Sequence, residues 1–290
     1  MKLLILGSSG LLGNTITKFF FSRTNFETYG TLRNNLKISF FDKCHHSKFY
    51  ILPDILDYDR LEKIIRIIEP KVIINCIGVT NKNLNKGMEL AEKYIQINSL
   101  FPHKLCKICS YFKIRLIHLS SDCVFSGKKG FYNEKDNPDS LDFYGRSKLL
   151  GEVSYENTIT LRKSAIGHEL GSNAGLLEWF LSQNDKVEGF QKAIFSGLTV
   201  LELSKIIEKH VIPNRNLNGI YHISGPFISK YELLKIFAEI YKKKVAIIPN
   251  ELENIDRTLD AFTFNKISGY KPKNWYEMIS EMYEFNLLGQ

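Results

Sequence analysis

Lys2-Leu3-Leu4-Ile5-Leu6-Gly7-Ser8-Ser9-Gly10-Leu11-Leu12-Gly13 is the stretch that decides the fold. The apolar run up to Leu6 reads as a buried parallel strand. It runs straight into glycines at 7, 10 and 13. The first two permit a tight turn and close approach of the backbone to a pyrophosphate. The third lets the following helix, expected over 11–22, pack on the sheet. A helix that opens at such a turn presents unpaired N–H groups to phosphate oxygens. Ser9, Leu11 and Leu12 lie along the same turn and join the three glycines as candidate cofactor-binding residues. A plain strand–turn–helix with no ligand is the competing reading.

Outward from this start, strand and helix alternate. Strands are expected over 27–31, 49–52, 72–76, 116–119 and 159–161. Helices are expected over 61–68, ended by Pro70, over 87–111 with an interruption near Pro102, and over 143–157. That alternation marks an α/β protein with a doubly wound parallel sheet of the Rossmann type. After Arg162 the pattern shifts to short helices (176–181, 200–210, 230–241) and short extended pieces such as 220–223. The expected organisation is a dinucleotide-binding domain over 1–162 and a smaller α/β substrate lobe over 163–290, with some segments returning to the first domain.

Composition narrows the function. The 290 residues are 44% hydrophobic and carry a net charge of +8, ordinary for a globular chain. The basic residues are scattered in short runs such as Lys242-Lys243-Lys244, not gathered in a stripe with interleaved aromatics, so no nucleic-acid partner is expected. No apolar stretch has the length to cross a bilayer, and a strand starting at residue 2 leaves no room for a signal peptide. A soluble, cytoplasmic protein with no membrane partner is expected. The five cysteines, at 44, 76, 106, 109 and 123, read as reduced thiols. Cys106 and Cys109 have no second pair and fit a helix facing the core, so no metal is expected.

Two segments carry chemistry. Ser120-Ser121-Asp122 follows the fifth strand, and ligands of such sheets bind beyond the carboxyl ends of the strands. Tyr144-Gly145-Arg146-Ser147-Lys148 places a phenol and an ammonium at i and i+4, on one helix face. A nearby cation favours the phenolate, so Lys148 is expected to draw the Tyr144 pKa down from about 10. The pair is then a proton donor or acceptor for an alcohol or ketone.

Together these residues resemble the extended short-chain dehydrogenase/reductase family, and within it the dTDP-4-dehydrorhamnose reductase branch of sugar-nucleotide enzymes. Gly7, Gly10 and Gly13 match its dinucleotide turn. Asp54-Ile55-Leu56-Asp57 matches the acidic segment after strand three, whose first Asp usually meets the adenine amine. Asn75-Cys76-Ile77-Gly78-Val79 matches the segment after strand four that flanks the cofactor, and Asn98 an asparagine of the next helix. Ser120-Ser121-Asp122-Cys123-Val124-Phe125 resembles the branch's S-T-D-x-V-F stretch. Tyr144 to Glu152 matches its Y-G-x-S-K-x-x-G-E signature. Tyr221-His222-Ile223-Ser224-Gly225 and Arg257 resemble second-lobe features.

The resemblance implies a reductase of a 4-keto-6-deoxy nucleotide sugar in deoxysugar or surface-polysaccharide biosynthesis. Ser121, Tyr144 and Lys148 are then catalytic. Arg33, Asp54, Ile55, Cys76, Ile77 and Gly78 join the glycine turn around the cofactor. Asp122, Cys123, Val124, His168 and Arg257 are then expected to face the substrate; Trp179 is a candidate for the pocket wall, with core packing of a short helix as its other reading. The second strand ends Tyr29-Gly30-Thr31-Leu32-Arg33 with no acid to read a ribose 2′-hydroxyl, while Arg33 suits a 2′-phosphate. NADP(H) is therefore favoured over NAD(H), and an exposed loop arginine is the other reading of Arg33. The branch also implies a homodimer.

Two alternatives stay open. One is an epimerase-reductase of the GDP-fucose synthase type, suggested by Cys123 two residues after Ser121 and by His168 further on. The other is a non-catalytic NADP(H)-binding regulatory subunit. A 4,6-dehydratase is disfavoured, because Cys123 stands where those enzymes place a Glu.

Overall fold

The structure, a computed structural model, describes residues 1–80 and 88–288. The chain divides into two compact units. The first comprises Met1–Ser120, Asp142–Leu161 and Asn214–Ile220; the second comprises Ser121–Leu141, Arg162–Pro213 and Tyr221–Gln290.

The first unit is built on β1 (Lys2–Leu6), α1 (Leu11–Phe21), β2 (Glu27–Leu32), β3 (Phe49–Ile51), α2 (Tyr58–Ile68), β4 (Val72–Asn75), α3 (Met88–Lys93), α4 (Phe101–Tyr111), β5 (Arg115–Leu119), α5 (Phe143–Leu150) and β6 (Thr158–Arg162). With β11 (Gly219–His222), these strands form one seven-stranded sheet in the order β11-β6-β5-β4-β1-β2-β3. The pairs from β3 to β6 are parallel. The reversal of strand order at β1 makes this the doubly wound α/β fold, with its switch point where the glycine turn stands.

Burial explains the strand sequences. Leu3, Leu4, Ile5 and Leu6 have no exposed surface, because helices cover both faces of a parallel sheet. Leu4 and Leu6 point to one face and pack with Leu61, Ile64, Ile65 and Ile68 of α2 and with Phe101, Leu105, Cys106 and Cys109 of α4. Side chains alternate along a strand, so Leu3 and Ile5 face the other way, where α1 packs on β1 and β2. The expectation that Cys106 and Cys109 face the core holds, and burial pushes both thiols up.

The helical stretch expected over 87–111 differs in detail, and Gly87 lies outside the described residues. From Met88 to Tyr111 the chain stays helical, but Tyr94–Leu100 is a π-helix and Pro102 sits in the first turn of α4. Proline has no N–H to give the carbonyl four residues back, and the widened turn before it absorbs that loss. The freed space is used: a Cβ on Gly151 would lie 1.8 Å from the Asn98 carbonyl oxygen. This close passage also corrects the helix expected over 143–157. α5 stops at Leu150, Gly151 caps it, and residues up to β6 are irregular. There Val153 is held by Thr160, whose Oγ1 accepts from its N–H and donates to its carbonyl.

The second unit contains β7 (Ala165–Ile166), α6 (Leu176–Ser182), β8 (Lys186–Phe190), β9 (Ala193–Phe195), β10 (Leu198–Thr199), α7 (Val200–Ile206), β12 (Ile228–Ser229), α8 (Lys230–Ile240), β13 (Ala246–Asn250), β14 (Ile255–Asp256), α9 (Phe262–Ser268) and α10 (Trp275–Leu288). Its sheets are small: β10-β7, β12-β9-β14 and β13-β8. The helix expected over 200–210 is α7 continued by a π-helix over Ile207–Val211. Leu203, Ile207, Leu233, Phe237, Phe264, Met278 and Ile279 have no exposed surface and form its core. Among the described residues, no helix is long and apolar enough to cross a membrane.

Candidate active site

In the first unit the glycine turn has the geometry its residues require. Gly7 has φ of 82°, a region that only glycine enters readily. Its N–H donates to Thr31 Oγ1 at 3.0 Å, and the N–H of Ser8 donates to the Thr31 carbonyl at 3.0 Å. Gly13 meets the turn so closely that a Cβ there would stand 2.0 Å from the Gly7 oxygen. Gly10 caps α1 in an extended conformation, offers no side-chain oxygen to the first turn, and no acid follows. The N-terminus of α1 thus leaves N–H groups that could hold an anion. Ser9, Leu11 and Leu12 are half-buried around it. Thr31 and Asn14, whose Nδ2 donates to the Gly10 carbonyl at 2.8 Å, hold the turn. Neither stood out in the sequence, since a buried threonine or asparagine has no periodic signal.

Arg33 is exposed just past β2. Asp54 is exposed and accepts from the N–H of Leu56 at 2.9 Å. Asp57 is the N-cap of α2, accepting from Arg60 at 2.9 Å, so the second acid of that segment has a structural task. Ile55, Cys76 and Ile77 are half-buried and Gly78 is exposed.

Asn98 ties the segment after β4 to α5. Its Oδ1 accepts from Val79 N at 2.8 Å, and its Nδ2 donates to the Val79 carbonyl at 2.9 Å and to Ser147 Oγ at 3.0 Å. Asp142 caps α5 through the N–H of Gly145 at 2.8 Å. On that helix Lys148 is buried and its Nζ donates to the Leu119 carbonyl at 2.9 Å, at the end of β5. The same Nζ lies 3.9 Å from where a Cβ on Gly78 would stand. Tyr144 is half-buried, its ring centroid 6.0 Å from that of Tyr94. Glu152, from the end of the signature, accepts from Ser120 Oγ at 2.7 Å. The glycine turn, the Gly78 segment, Tyr144 and Lys148 thus all belong to the first unit.

The remaining candidates belong to the second unit. Ser121 caps a short 3₁₀ turn over Asp122–Val124: its Oγ accepts from Cys123 N at 3.1 Å and donates to Asp122 Oδ1 at 3.0 Å. Asp122 is buried, which pushes its carboxyl up; Arg257, Lys163 and the hydrogen bonds from Ser121 and Cys123 oppose that shift. Arg257 follows β14, donates through Nε to the Phe125 carbonyl at 3.1 Å, and places Nη1 3.9 Å from Cys123 Sγ. Lys163 is a buried cation that sequence reasoning missed; its carbonyl accepts from Asp122 N at 3.2 Å. Its signal was its place directly after β6.

Val124 has no exposed surface. Trp179 stands on α6 at 36% exposure. Both ring nitrogens of His168 are engaged, Nδ1 with Glu178 at 2.7 Å and Nε2 with the Tyr241 hydroxyl at 2.9 Å. That leaves the ring fixed within a packed network.

The residues of the first unit fit a nicotinamide dinucleotide: a turn closed to a Cβ at Gly7 and Gly13, an uncapped helix N-terminus, and a lysine beside Gly78. Comparison with known proteins agrees in kind. A family model described as RmlD substrate binding domain matches residues 1–284. The dTDP-4-dehydrorhamnose reductase of Aggregatibacter actinomycetemcomitans is 29% identical over 266 residues, 88% of this chain and 82% of that protein. The methionine adenosyltransferase 2 subunit beta of Mus musculus is 28% identical over 263 residues, 83% of this chain and 72% of that protein. The crystal structure of dTDP-4-dehydrorhamnose reductase from Bacillus anthracis str. Ames in complex with NADP superposes with a TM-score of 0.77 at 20% identity, over 98% of each chain.

Proposed function

The chain belongs to the RmlD substrate binding domain family, and from that premise we propose that it is an NADP(H)-dependent reductase of a 4-keto-6-deoxy nucleotide sugar. The observation that carries the reading is the first unit's combination of a glycine cradle at α1 with Tyr144 and a buried Lys148 on α5. The relative from Aggregatibacter actinomycetemcomitans bears the name of such a reductase.

In this reading the first unit is the cofactor domain and the second supplies the substrate residues. Gly7, Ser9, Gly10, Leu11, Leu12 and Gly13 hold the pyrophosphate, Arg33 the 2′-phosphate, and Asp54 with Ile55 the adenine. Cys76, Ile77 and Gly78 flank the nicotinamide end. When bound, the reduced nicotinamide supplies a hydride to the sugar's carbonyl carbon. Tyr144 gives its proton to the carbonyl oxygen as charge develops there, and Ser121 donates a hydrogen bond to that oxygen. Lys148 is the cation that favours the resulting phenolate. Arg257 is the candidate for the substrate diphosphate.

The NADP(H) preference rests on Arg33 and the absence of an acid at the end of β2. The Bacillus anthracis reductase was crystallised with NADP, while a neighbouring fold, a dTDP-glucose 4,6-dehydratase, was crystallised with NAD.

The test is NADPH oxidation, with NADH in parallel, on 4-keto-6-deoxy sugars carried by dTDP, UDP and GDP. Wild type should turn over one of them, and Tyr144→Phe should lose about 10²-fold or more of kcat. A second reading, a nucleotide-binding regulatory subunit, is favoured by the methionine adenosyltransferase relative. It is supported instead if NADPH binds tightly to both proteins and neither turns over any sugar.

A further inference from the structure

The proposed reduction needs the Ser121 hydroxyl to donate to the sugar's carbonyl oxygen, yet in the second unit its hydrogen is already committed. A serine hydroxyl has one hydrogen and two lone pairs. One lone pair takes the N–H of Cys123 at 3.1 Å, and the hydrogen goes to Asp122 Oδ1 at 3.0 Å. What remains is a lone pair, which accepts and cannot donate. A carbonyl oxygen is itself only an acceptor. In this arrangement Ser121 has no hydrogen left for one.

The group that holds the hydrogen can also return it. A carboxylate only accepts, but a carboxylic acid carries an O–H of its own. The 3.0 Å separation of the two oxygens serves a hydrogen bond in either direction. An O–H on Oδ1 donates into the remaining lone pair of Ser121 Oγ and leaves the serine hydrogen to turn elsewhere. The surroundings pull Asp122 both ways. Ser121 and Asp122 are 7% and 6% exposed, and burial pushes the carboxyl up. Arg257 after β14 and Lys163 after β6 favour the carboxylate, as do the hydrogen bonds from Ser121 and Cys123. The Cys123 thiol lies 3.7 Å from the same Oδ1. Backbone contacts fix the turn around this group: Asp122 N donates to the Lys163 carbonyl at 3.2 Å, and Arg257 Nε to the Phe125 carbonyl at 3.1 Å. A change at Asp122 therefore moves hydrogens rather than the backbone.

We infer that Asp122 is a positioning residue whose carboxyl decides where the Ser121 hydroxyl points. As a carboxylic acid it donates to Ser121 Oγ and frees the serine hydrogen for the sugar oxygen. As a carboxylate it takes that hydrogen back. This rests on the reading of Ser121 as a donor to that oxygen. No proton travels along the pair during turnover: the proton that ends on the product oxygen comes from Tyr144, and Asp122 keeps its own.

Two measurements test it. In the first, kcat of wild type and Asp122→Asn is followed over the pH range in which both stay folded. Asparagine has no proton to lose, and ionisation of Tyr144 acts on both proteins, so it cancels in their ratio. The ratio of wild type to variant should fall by about ten-fold or more as the pH rises. In a Ser121→Ala background the same ratio should not change with pH, because the hydroxyl through which Asp122 acts is gone. The second needs no turnover: the Asp122 carboxyl is titrated by carbon-13 NMR, assigned by its loss in Asp122→Asn. Ser121→Ala should raise its midpoint by roughly half a pH unit or more, since the carboxylate loses a donor. A ratio that is flat with pH, a slope that persists without Ser121, or an unshifted midpoint overturns the inference. A shifted midpoint in a protein that reduces no sugar would fail the reductase reading and keep the switch.

Discussion

Acidification should loosen the second unit through a single imidazole, that of His222. The ring has no exposed surface. Its Nδ1 lies 3.0 Å from the Tyr132 carbonyl and donates to it, and its Nε2 accepts from Arg162 Nη1 at 3.2 Å. A second proton on this ring would aim an N–H at a guanidinium in a buried place. Burial first, and Arg162 second, push the His222 pKa down from 6.5 to about 4. Because the folded pKa lies below the unfolded one, the unfolded chain binds more protons between the two. Stability is therefore full above about pH 6.5 and falls as the pH drops toward about 4. At about 1.4 kcal/mol per pH unit, the whole shift corresponds to roughly 3 kcal/mol. Urea unfolding at several pH values across this window, on wild type and His222→Gln, measures it. The variant lacks the titrating group, so the difference between the two stabilities should shrink by about 1.4 kcal/mol for each unit of acidification. Parallel pH profiles for the two proteins would refute the reasoning.

Three further perturbations test the first unit. Gly13→Ala puts a Cβ 2.0 Å from a backbone oxygen; it should lower stability by about 1–3 kcal/mol and abolish saturable NADPH quenching of fluorescence. Asn98→Ala removes an acceptor and two donors at Val79 and Ser147; a loss of roughly 2–4 kcal/mol is expected, with weaker NADPH binding, and unchanged values of both would count against its role as the tie. Gly151→Ala must displace the Asn98 carbonyl, 1.8 Å from the new Cβ; reduced thermal stability and a fall in turnover should appear together, and an active, equally stable variant would show that α5 does not depend on this passage.

The legible part of the fold was its periodic part. Runs such as Leu3–Leu6 and Val72–Ile74 announced buried strands because nothing polar interrupts them, and Leu61, Ile64, Ile65 and Ile68 fall on one helical face. Boundaries set by a single contact were not legible. The end of α5 depends on Gly151 meeting the Asn98 carbonyl, and the π-helix over Tyr94–Leu100 depends on how that stretch meets Pro102 and α5. Within the site, the glycines could be named because their lack of a side chain is itself the signal. Thr31 and Lys163 could not, because their partners are remote in sequence. His168 looked available for chemistry until Glu178 and Tyr241 were found on its two nitrogens.

By itself, the sequence determined the class of sheet, the place of the glycine turn and the placing of Tyr144 and Lys148 on one helix face. These follow from short-range rules: side-chain period, glycine's free φ, and the geometry of i and i+4. Tertiary structure alone decided that Lys148 is held by the Leu119 carbonyl, that Asp122 is buried between Lys163 and Arg257, and that Glu202 is buried against Tyr270 and Lys273. In each, the energy of a polar group depends on partners that arrive from distant stretches of chain and on the water that folding removes.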